Sequence, residues 1–258
     1  MTEQEEAQQQ GPAVPRFKGI ESIQLFEDDD CIVLNKPSGM LSIPDRTQSQ
    51  PSLKDYLAEK FGSIFTVHRL DKETSGVIVF AKTDTMHKHL SLQFEDRQTK
   101  KIYNGLVTGK PARSAGIIDE PIAAHPSLNG SMAINPKGKP STTEYSLLEA
   151  FRTYSWLQFN ILTGRTHQIR VHMKHLGHPI ACDPLYGDGK PVLLSSFKKK
   201  FNLAKSAEEE RPIMARLALH AAQLSFTNLQ QQTLQFEAPL PKDLRALLQQ
   251  LRKWNPER

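Results

Sequence analysis

Residues 68–81 read HRLDKETSGVIVFA, and this stretch decides the fold. Its second half, from Gly76 to Ala81, is an unbroken apolar run with β-branched residues, the pattern of a buried strand. Its first half is the opposite. Asp71 stands between Arg69 and Lys72, and Thr74-Ser75-Gly76 supplies small turn residues before the strand begins. An Asp in such a place commonly does no more than turn the chain. Neighbouring cations also keep a partly desolvated carboxylate ionised, and an ionised carboxylate can act as a nucleophile or a base. These residues alone leave both readings open.

Working outward, IESIQLF and CIVLNK form β-rich runs separated by EDDD, a hairpin pattern, and NKPSGM (35–40) bends the chain with Pro and Gly. PSLKDYLAEKFG predicts a helix with Ser52 as N-cap, Leu53, Tyr56, Leu57 and Phe61 on one face, and Gly62 beyond its end. IFTVHRL and GVIVFAK read as strands on either side of the Asp71 motif. TDTMHKHLSLQFEDRQ has Met86, Leu90 and Phe94 at four-residue spacing and predicts a second helix. KKIYNGLVTG is a strand, residues 110–140 are a Pro- and Gly-rich long hairpin or loop, and STTEYSLLEAF and YSWLQFNIL are a strand pair. TGRTHQIRVHMKHLGHP predicts a turn and then a helix stopped by Gly177 and Pro179, with Arg170 and Lys174 on one face and Ile169, Met173 and Leu176 on another. The Lys-rich residues 188–212 read as a surface insertion. RLALHAAQLSF and QTLQFEAP are strands, and PKDLRALLQQLRKW closes with a helix that turns Leu244, Leu247, Leu248 and Leu251 inward. No regular βαβ alternation appears, so the expected class is α+β, with a mixed, mainly antiparallel central sheet and flanking helices.

Composition narrows the function. Of 258 residues 38% are hydrophobic and 24% charged, the balance of an ordinary globular domain. No apolar run reaches the ~20 residues of a membrane span, and the N-terminus lacks the apolar core of a signal peptide, so the expected compartment is the cytoplasm and no membrane partner is expected. Residues 1–16 are acidic and Gln-rich and read as a disordered tail, leaving residues 17–258 as one folded domain. Cys31 and Cys182 have no disulfide or metal spacing. The net charge is +5, and because residues 1–16 carry three Glu and one Arg, the remainder holds a larger positive excess. Its distribution matters more. From Ala150 to Cys182 there is no Asp or Glu, while Arg152, Arg165, Arg170 and Lys174 are present with four histidines. Basic residues are ordinarily a solvated face. A stretch without compensating acid favours an anionic partner.

Arg165 and Arg170 can each be a structural partner, a phosphate contact or the counter-ion of a buried acid, because an unpaired buried charge is costly. Tyr103, in the strand KKIY, is either core or a ring on which a base stacks. His167, His172, His175 and His178 lack the i,i+4 H-E-x-x-H arrangement and a nearby carboxylate, so no metal is expected. Neither a phosphate-binding loop nor a dinucleotide fingerprint occurs, so no cofactor is expected.

Taken together the motifs carry a resemblance. HRLDKETSG resembles the catalytic signature of the RluA-type pseudouridine synthases, whose essential carboxylate is the Asp of HRLD. NKPSG (35–39) resembles their first motif, KKIY (100–103) their Lys-x-Tyr segment, TGRTHQIRVHMKHLGHPIACDPLYG (163–187) their third motif, and RLALHA (216–221) their final Leu-His-Ala strand. The order is the family's order and spans residues 20–240. About twenty residues precede the first strand, so the S4-type RNA-binding module of many members is expected to be absent.

The resemblance implies the pseudouridine synthase fold with an RNA-binding cleft, and isomerisation of uridine in structured RNA, ribosomal or transfer. Separately, a monomer without an obligatory protein partner is expected. The resemblance also implies that Asp71 is the catalytic carboxylate, that Arg170 pairs with it, and that Tyr103 stacks on the uracil. Arg69 would fill the gap left by a flipped base, and Leu219 would line the base pocket. Arg165, Lys174 and Lys198 to Lys200 would contact phosphates, positioning the RNA without reading its sequence. The competing readings are a non-catalytic RNA-binding module, a metal-dependent hydrolase built on the His-rich helix, and a carboxylate enzyme acting on a small nucleoside or sugar.

Overall fold

The computed structural model describes residues 17–203 and 209–257, so the tail reading for residues 1–16 lies outside the described residues, as does part of the 188–212 segment. The chain enters through a 3-10 turn at Ile20–Ile23, where a strand was expected, and then forms the antiparallel hairpin of β1 (Gln24–Glu27) and β2 (Cys31–Lys36). Asp28 builds the hairpin turn by accepting the N–H groups of Asp30 and Cys31 at 2.9 and 2.7 Å. In α1 (Leu53–Phe61) Ser52 caps the first turn and Asp55 reciprocates in a full capping box. β3 is only Phe65–Thr66, because the rest of IFTVHRL leaves the sheet to carry Asp71 back toward β4 (Ser75–Ala81). Thr83 caps α2 (Asp84–Glu95), and β5 (Lys100–Thr108) follows.

Residues 110–140 hold more order than a loop. β6 (Ala115–Asp119) joins the edge of the main sheet, while β7 (Ile122–Ala124) and β8 (Met132–Ile134) make a separate hairpin. β9 (Thr142–Ala150) and β10 (Tyr154–Ile161) are antiparallel neighbours, followed by α3 (Gln168–His175). Leu176, expected on one helix face with Ile169 and Met173, lies past the last turn of α3 and is exposed. The 188–212 segment is not wholly a surface insertion. Val192 exchanges backbone hydrogen bonds with Ile213 and Met214, and Val192 and Phe197 are buried in the main core. β11 (Leu219–Thr227), β12 (Thr233–Glu237) and α4 (Lys242–Trp254) complete the chain, with Leu244, Leu247, Leu248 and Leu251 all buried as expected.

The main sheet has ten strands, in the order β1-β2-β4-β11-β5-β10-β9-β6, with β12 on β11 and β3 on β4. Every pairing is antiparallel except β4 with β11. This is the α+β architecture that the sequence implies. All seven residues of β4 are buried. Ile78 and Phe80 pack toward α1 with Leu53 and Leu57, and Val77 and Val79 toward α2 with Met86 and Leu90. Alternation along the strand thus feeds two cores, which is why the run is apolar throughout.

The parallel contact of β4 with β11 is short, Ser75 to His220 and Ala221 to Gly76, and it is where the Asp71 loop enters the sheet. Gly76 has φ +120°, and a Cβ built there would lie 2.1 Å from the Ala221 carbonyl oxygen. Beside it the Ser75 hydroxyl hydrogen-bonds His220 Nδ1 at 2.9 Å, and His220 Nε2 meets the Ala238 carbonyl at 3.1 Å. Gly76→Ala is therefore expected to destabilise the fold by more than about 3 kcal/mol in urea unfolding. A loss below about 1 kcal/mol would show that β4 and β11 separate easily.

Candidate active site

Asp71 sits in a loop that is clamped from below. The segment after β2 does the clamping. Lys36 is fully buried, and its Nζ donates to the carbonyls of Pro37 (3.1 Å), Met40 (2.7 Å) and Lys72 (2.9 Å). Three acceptors match the three protons of an ammonium group. Burial pulls the Lys36 pKa down to about 7, while Glu73 and Asp71 pull it up. The Ser38 hydroxyl donates to the Glu73 carbonyl at 2.7 Å, and the Gly39 N–H donates to Lys72 at 2.9 Å. The Ser42 hydroxyl donates to the Leu70 carbonyl and accepts the Leu70 N–H, at 2.9 and 3.1 Å. NKPSGMLS is thus the bed on which residues 70–73 lie.

From the other side comes α3. Arg170 is 6% exposed, and its guanidinium forks onto Asp183, Nε to Oδ2 at 2.8 Å and Nη2 to Oδ1 at 2.9 Å. Its remaining nitrogen, Nη1, donates to Asp71 Oδ2 at 3.2 Å. The fork fixes the guanidinium plane, so the direction of the Asp71 contact is set by Asp183. His167, in the left-handed conformation at φ 56° before α3, places Nε2 3.8 Å from Asp71 Oδ2. The Tyr186 hydroxyl accepts the Met132 N–H at 2.8 Å and lies 2.7 Å from His167 Nδ1. That network is satisfied when the hydroxyl donates to Nδ1, which leaves the Nε2 proton facing Asp71. Burial lowers the His167 pKa, against the attraction of Asp71, so the ring is a neutral donor.

Asp71 opens onto a cleft of about 500 Å³, within the range of small-ligand sites. Tyr103, Ile161 and Leu219 line it together with Lys101, from β5, β10 and β11. Leu219 stands opposite Gly105, whose missing side chain leaves room for it: a Cβ there would meet Leu219 Cδ1 at 3.2 Å and Phe159 Cε2 at 3.1 Å. Burial, and then the charge of Asp71, raises the Tyr103 pKa, so its phenol stays protonated. Also in the lining, His68 stacks on Phe94, with centroids 4.6 Å apart and planes at 19°, while its Nε2 accepts the Val79 N–H at 3.1 Å. A second depression shares Gly164 and Arg165 with the cleft and continues to Lys137 and Lys139 beside the β7–β8 hairpin.

Comparison with known proteins places this geometry. Residues 30–175, more than half the chain, match the model of the RNA pseudouridylate synthase family. The chain belongs to that family, as an RluA-type member. It is 38% identical over 235 residues to the ribosomal large subunit pseudouridine synthase D of Nitrosomonas europaea, covering 88% of this chain and 64% of that protein. To the protein of the same name from Haemophilus ducreyi it is 35% identical, covering 88% of this chain and 70% of that one. Among solved structures, human RNA pseudouridylate synthase domain containing 4 superposes with a TM-score of 0.68 at 27% identity, over 90% of this chain and 94% of that one.

For this family member, the cleft gathers most of the residues singled out from the sequence. Asp71, Arg170, Tyr103, Arg69, Leu219 and Arg165 all line it, with Arg69 exposed at its rim. Arg165 is also tied to the turn before β9, its Nε donating to the Pro140 carbonyl at 3.2 Å. Lys174 does not line the cleft. It is exposed, with its ammonium 5.8 Å from the Tyr186 ring, whose face also receives Arg170 at 4.9 Å. Lys198 to Lys200 are likewise elsewhere, Lys198 resting over Trp254 at the end of α4. The four histidines diverge: His167 faces Asp71, His172 bonds Thr143 and the Glu120 carbonyl, His178 bonds the Thr108 carbonyl, and His175 is exposed. Among the described residues no three His, Cys, Asp or Glu groups assemble as metal ligands, and no helix is long and apolar enough to cross a membrane.

Sequence reading missed Asp183, Lys36, His68 and Tyr186. Asp183 had a visible signal, since it is the acid that ends the acid-free stretch.

Arg170→Lys keeps a charge but cannot fork onto Asp183 while reaching Asp71. It is expected to cost about 3 kcal/mol in urea unfolding, and an unchanged midpoint would contradict the bridging role. His68 supplies a pH signature. Burial lowers its pKa to about 3, whereas in the unfolded chain it protonates near pH 6.5. Its contribution to stability is therefore complete above pH 6.5 and is lost as the pH falls. Between pH 7 and pH 5 the loss is expected to be about 2 kcal/mol, and His68→Gln should remove that share of the slope. Equal slopes for the two proteins would contradict a neutral ring at His68.

Proposed function

We propose that the chain is an RNA pseudouridine synthase that converts uridine in structured RNA to pseudouridine, with Asp71 as its catalytic carboxylate. The observation that carries this is the Asp71 carboxylate held by Arg170 and His167 at the edge of a cleft with Tyr103 and Leu219 in its lining. The large-subunit names of its relatives favour ribosomal RNA as the substrate.

The chemistry suits these groups. The bond from uracil N1 to ribose C1′ breaks, the base turns, and C5 bonds to C1′. The C5 proton is lost and N1 gains one, so atoms and electrons balance without a redox partner and no step calls for a cofactor. Positive charge develops on the sugar as the bond breaks, as in glycoside cleavage. Asp71 meets that charge by stabilising it, by attacking C1′ or by taking the C2′ proton. Arg170 aims Asp71, and the Tyr103 ring stacks on the uracil. A base buried in a stem must first leave it, at about a few kcal/mol, and Arg69 at the rim fills the gap. Arg165 holds phosphate. The protein works as a monomer in the cytoplasm without an obligatory protein partner.

The deciding experiment maps pseudouridine in total cellular RNA with and without the gene, and after return of the gene carrying Asp71→Asn. One or more sites are expected to vanish with the gene and to stay absent with Asp71→Asn, whose product shows RNA affinity within about twofold of the original and turnover about a thousandfold lower or worse. Pseudouridine restored at the normal level by Asp71→Asn would remove Asp71 from the chemistry. An unchanged map would remove the activity.

A further inference from the structure

At the end of the cleft marked by His68 and Phe94 lies a second charged group that the chemistry above does not use. Lys101 is 6% exposed, yet it has no ion-pair or hydrogen-bond partner among the described residues. It shares a face of β5 with Tyr103, two residues on, and both line the cleft. Its ammonium lies 5.6 Å from the centre of the Phe94 ring. The charged or titratable groups lining that end of the cleft are His68, Arg97 and Glu95, of which Arg97 and Glu95 are exposed. His68 is held neutral, and Arg97 adds repulsion rather than relief.

A buried cation with neither an acid nor a hydrogen-bond acceptor beside it costs stability, so buried charges are ordinarily paired. Elsewhere in this protein the rule is obeyed: buried Lys36 has three carbonyls and buried Arg170 has two carboxylates. Lys101 has a π face on one side and the open cleft on the other. What it lacks is an anion.

We propose that Lys101, with Arg97 at the rim, is a phosphate-binding site that takes one phosphodiester of the RNA strand next to the uridine and so sets how far the nucleotide slides along the cleft toward Asp71. This rests on the function proposed above. It adds a second point of attachment in the cleft, separate from the Asp71–Arg170 pair. A point charge suits the task, because the phosphate must be held without reading the base.

The test uses full-length Asp71→Asn protein, so that binding is measured without turnover, and a short RNA stem–loop with a uridine in its loop. Lys101→Met, which fills the same space without charge, is added to it and compared over a range of salt concentrations. Affinity is expected to fall about tenfold, and the slope of log affinity against log salt to flatten by about 0.7–0.9, the signature of one lost phosphate contact. Lys101→Arg should keep most of the affinity. Methylphosphonate placed at single linkages around the uridine should weaken the Lys101 protein at one linkage and leave Lys101→Met indifferent there. The melting temperature should stay level or rise in Lys101→Met, because an uncompensated charge leaves the interior. A merely structural lysine would lower it. An unchanged affinity and slope, a methylphosphonate penalty that persists in Lys101→Met, or an affinity loss that follows a fall in melting temperature would each overturn the site. Pseudouridine formation by the unmutated protein on cellular RNA reads the proposed function separately. If none forms while Lys101→Met still flattens the slope, the activity fails and the phosphate site stands.

Discussion

One guanidinium is shared between two carboxylates, and the cleft is organised around that sharing. Arg170 gives its fork to fully buried Asp183 and its remaining nitrogen to Asp71. Asp183 in turn accepts the N–H groups of Leu185 and Tyr186 at 2.9 and 3.1 Å, which ties the turn after α3 to the same charge. A single buried Asp beside Arg170 would be neutralised by it. With two acids the guanidinium serves both, and Asp71 is the more exposed member, at 21% against 0%. Asp183 absorbs the structural role so that Asp71 can face the cleft.

The scaffold around this pair is assembled from both ends of the chain. Lys36 and Ser42 hold the Asp71 loop from the N-terminal side, α3 holds it from the middle, and β11 meets it from the C-terminal side at Gly76. Each contact goes to a backbone carbonyl or to a fixed charge. The loop therefore inherits its position from three separate elements, which is the preorganisation that a reacting carboxylate needs.

Much of this was legible in the sequence, and the rest was not for physical reasons. Regular elements follow periodicity, so α1 with its Ser52 cap, the seven-residue β4 and the leucine face of α4 were readable. The pairing of Arg170 with Asp71 came from motif order, since nothing local links residues 99 apart. Lys36 was invisible because composition counts charges and not their burial, and lysine is usually solvated. Asp183 was overlooked because DPLYG resembles an ordinary turn. Lys174, four residues after Arg170 on α3, turns its ammonium toward the Tyr186 ring and does not line the cleft, which spacing along a helix does not show. For residues 110–140 the sequence offered a long hairpin or a loop; Pro and Gly hid the strand boundaries, and the edge strand β6 was not read.

The position of β11 has a consequence for how the protein is made. Residues 219–227 lie between β4 and β5, two strands completed more than a hundred residues earlier in synthesis. Until β11 arrives, β4 and β5 face a missing neighbour, and Leu219 is absent from the cleft. The nascent chain must hold an open edge through most of its translation, the situation in which long-range pairing is slow and chaperones are most useful. The order of events makes the cleft one of the last features to close. A chain that stalls before β11 therefore carries Asp71 and Arg170 without the wall that shapes their cleft.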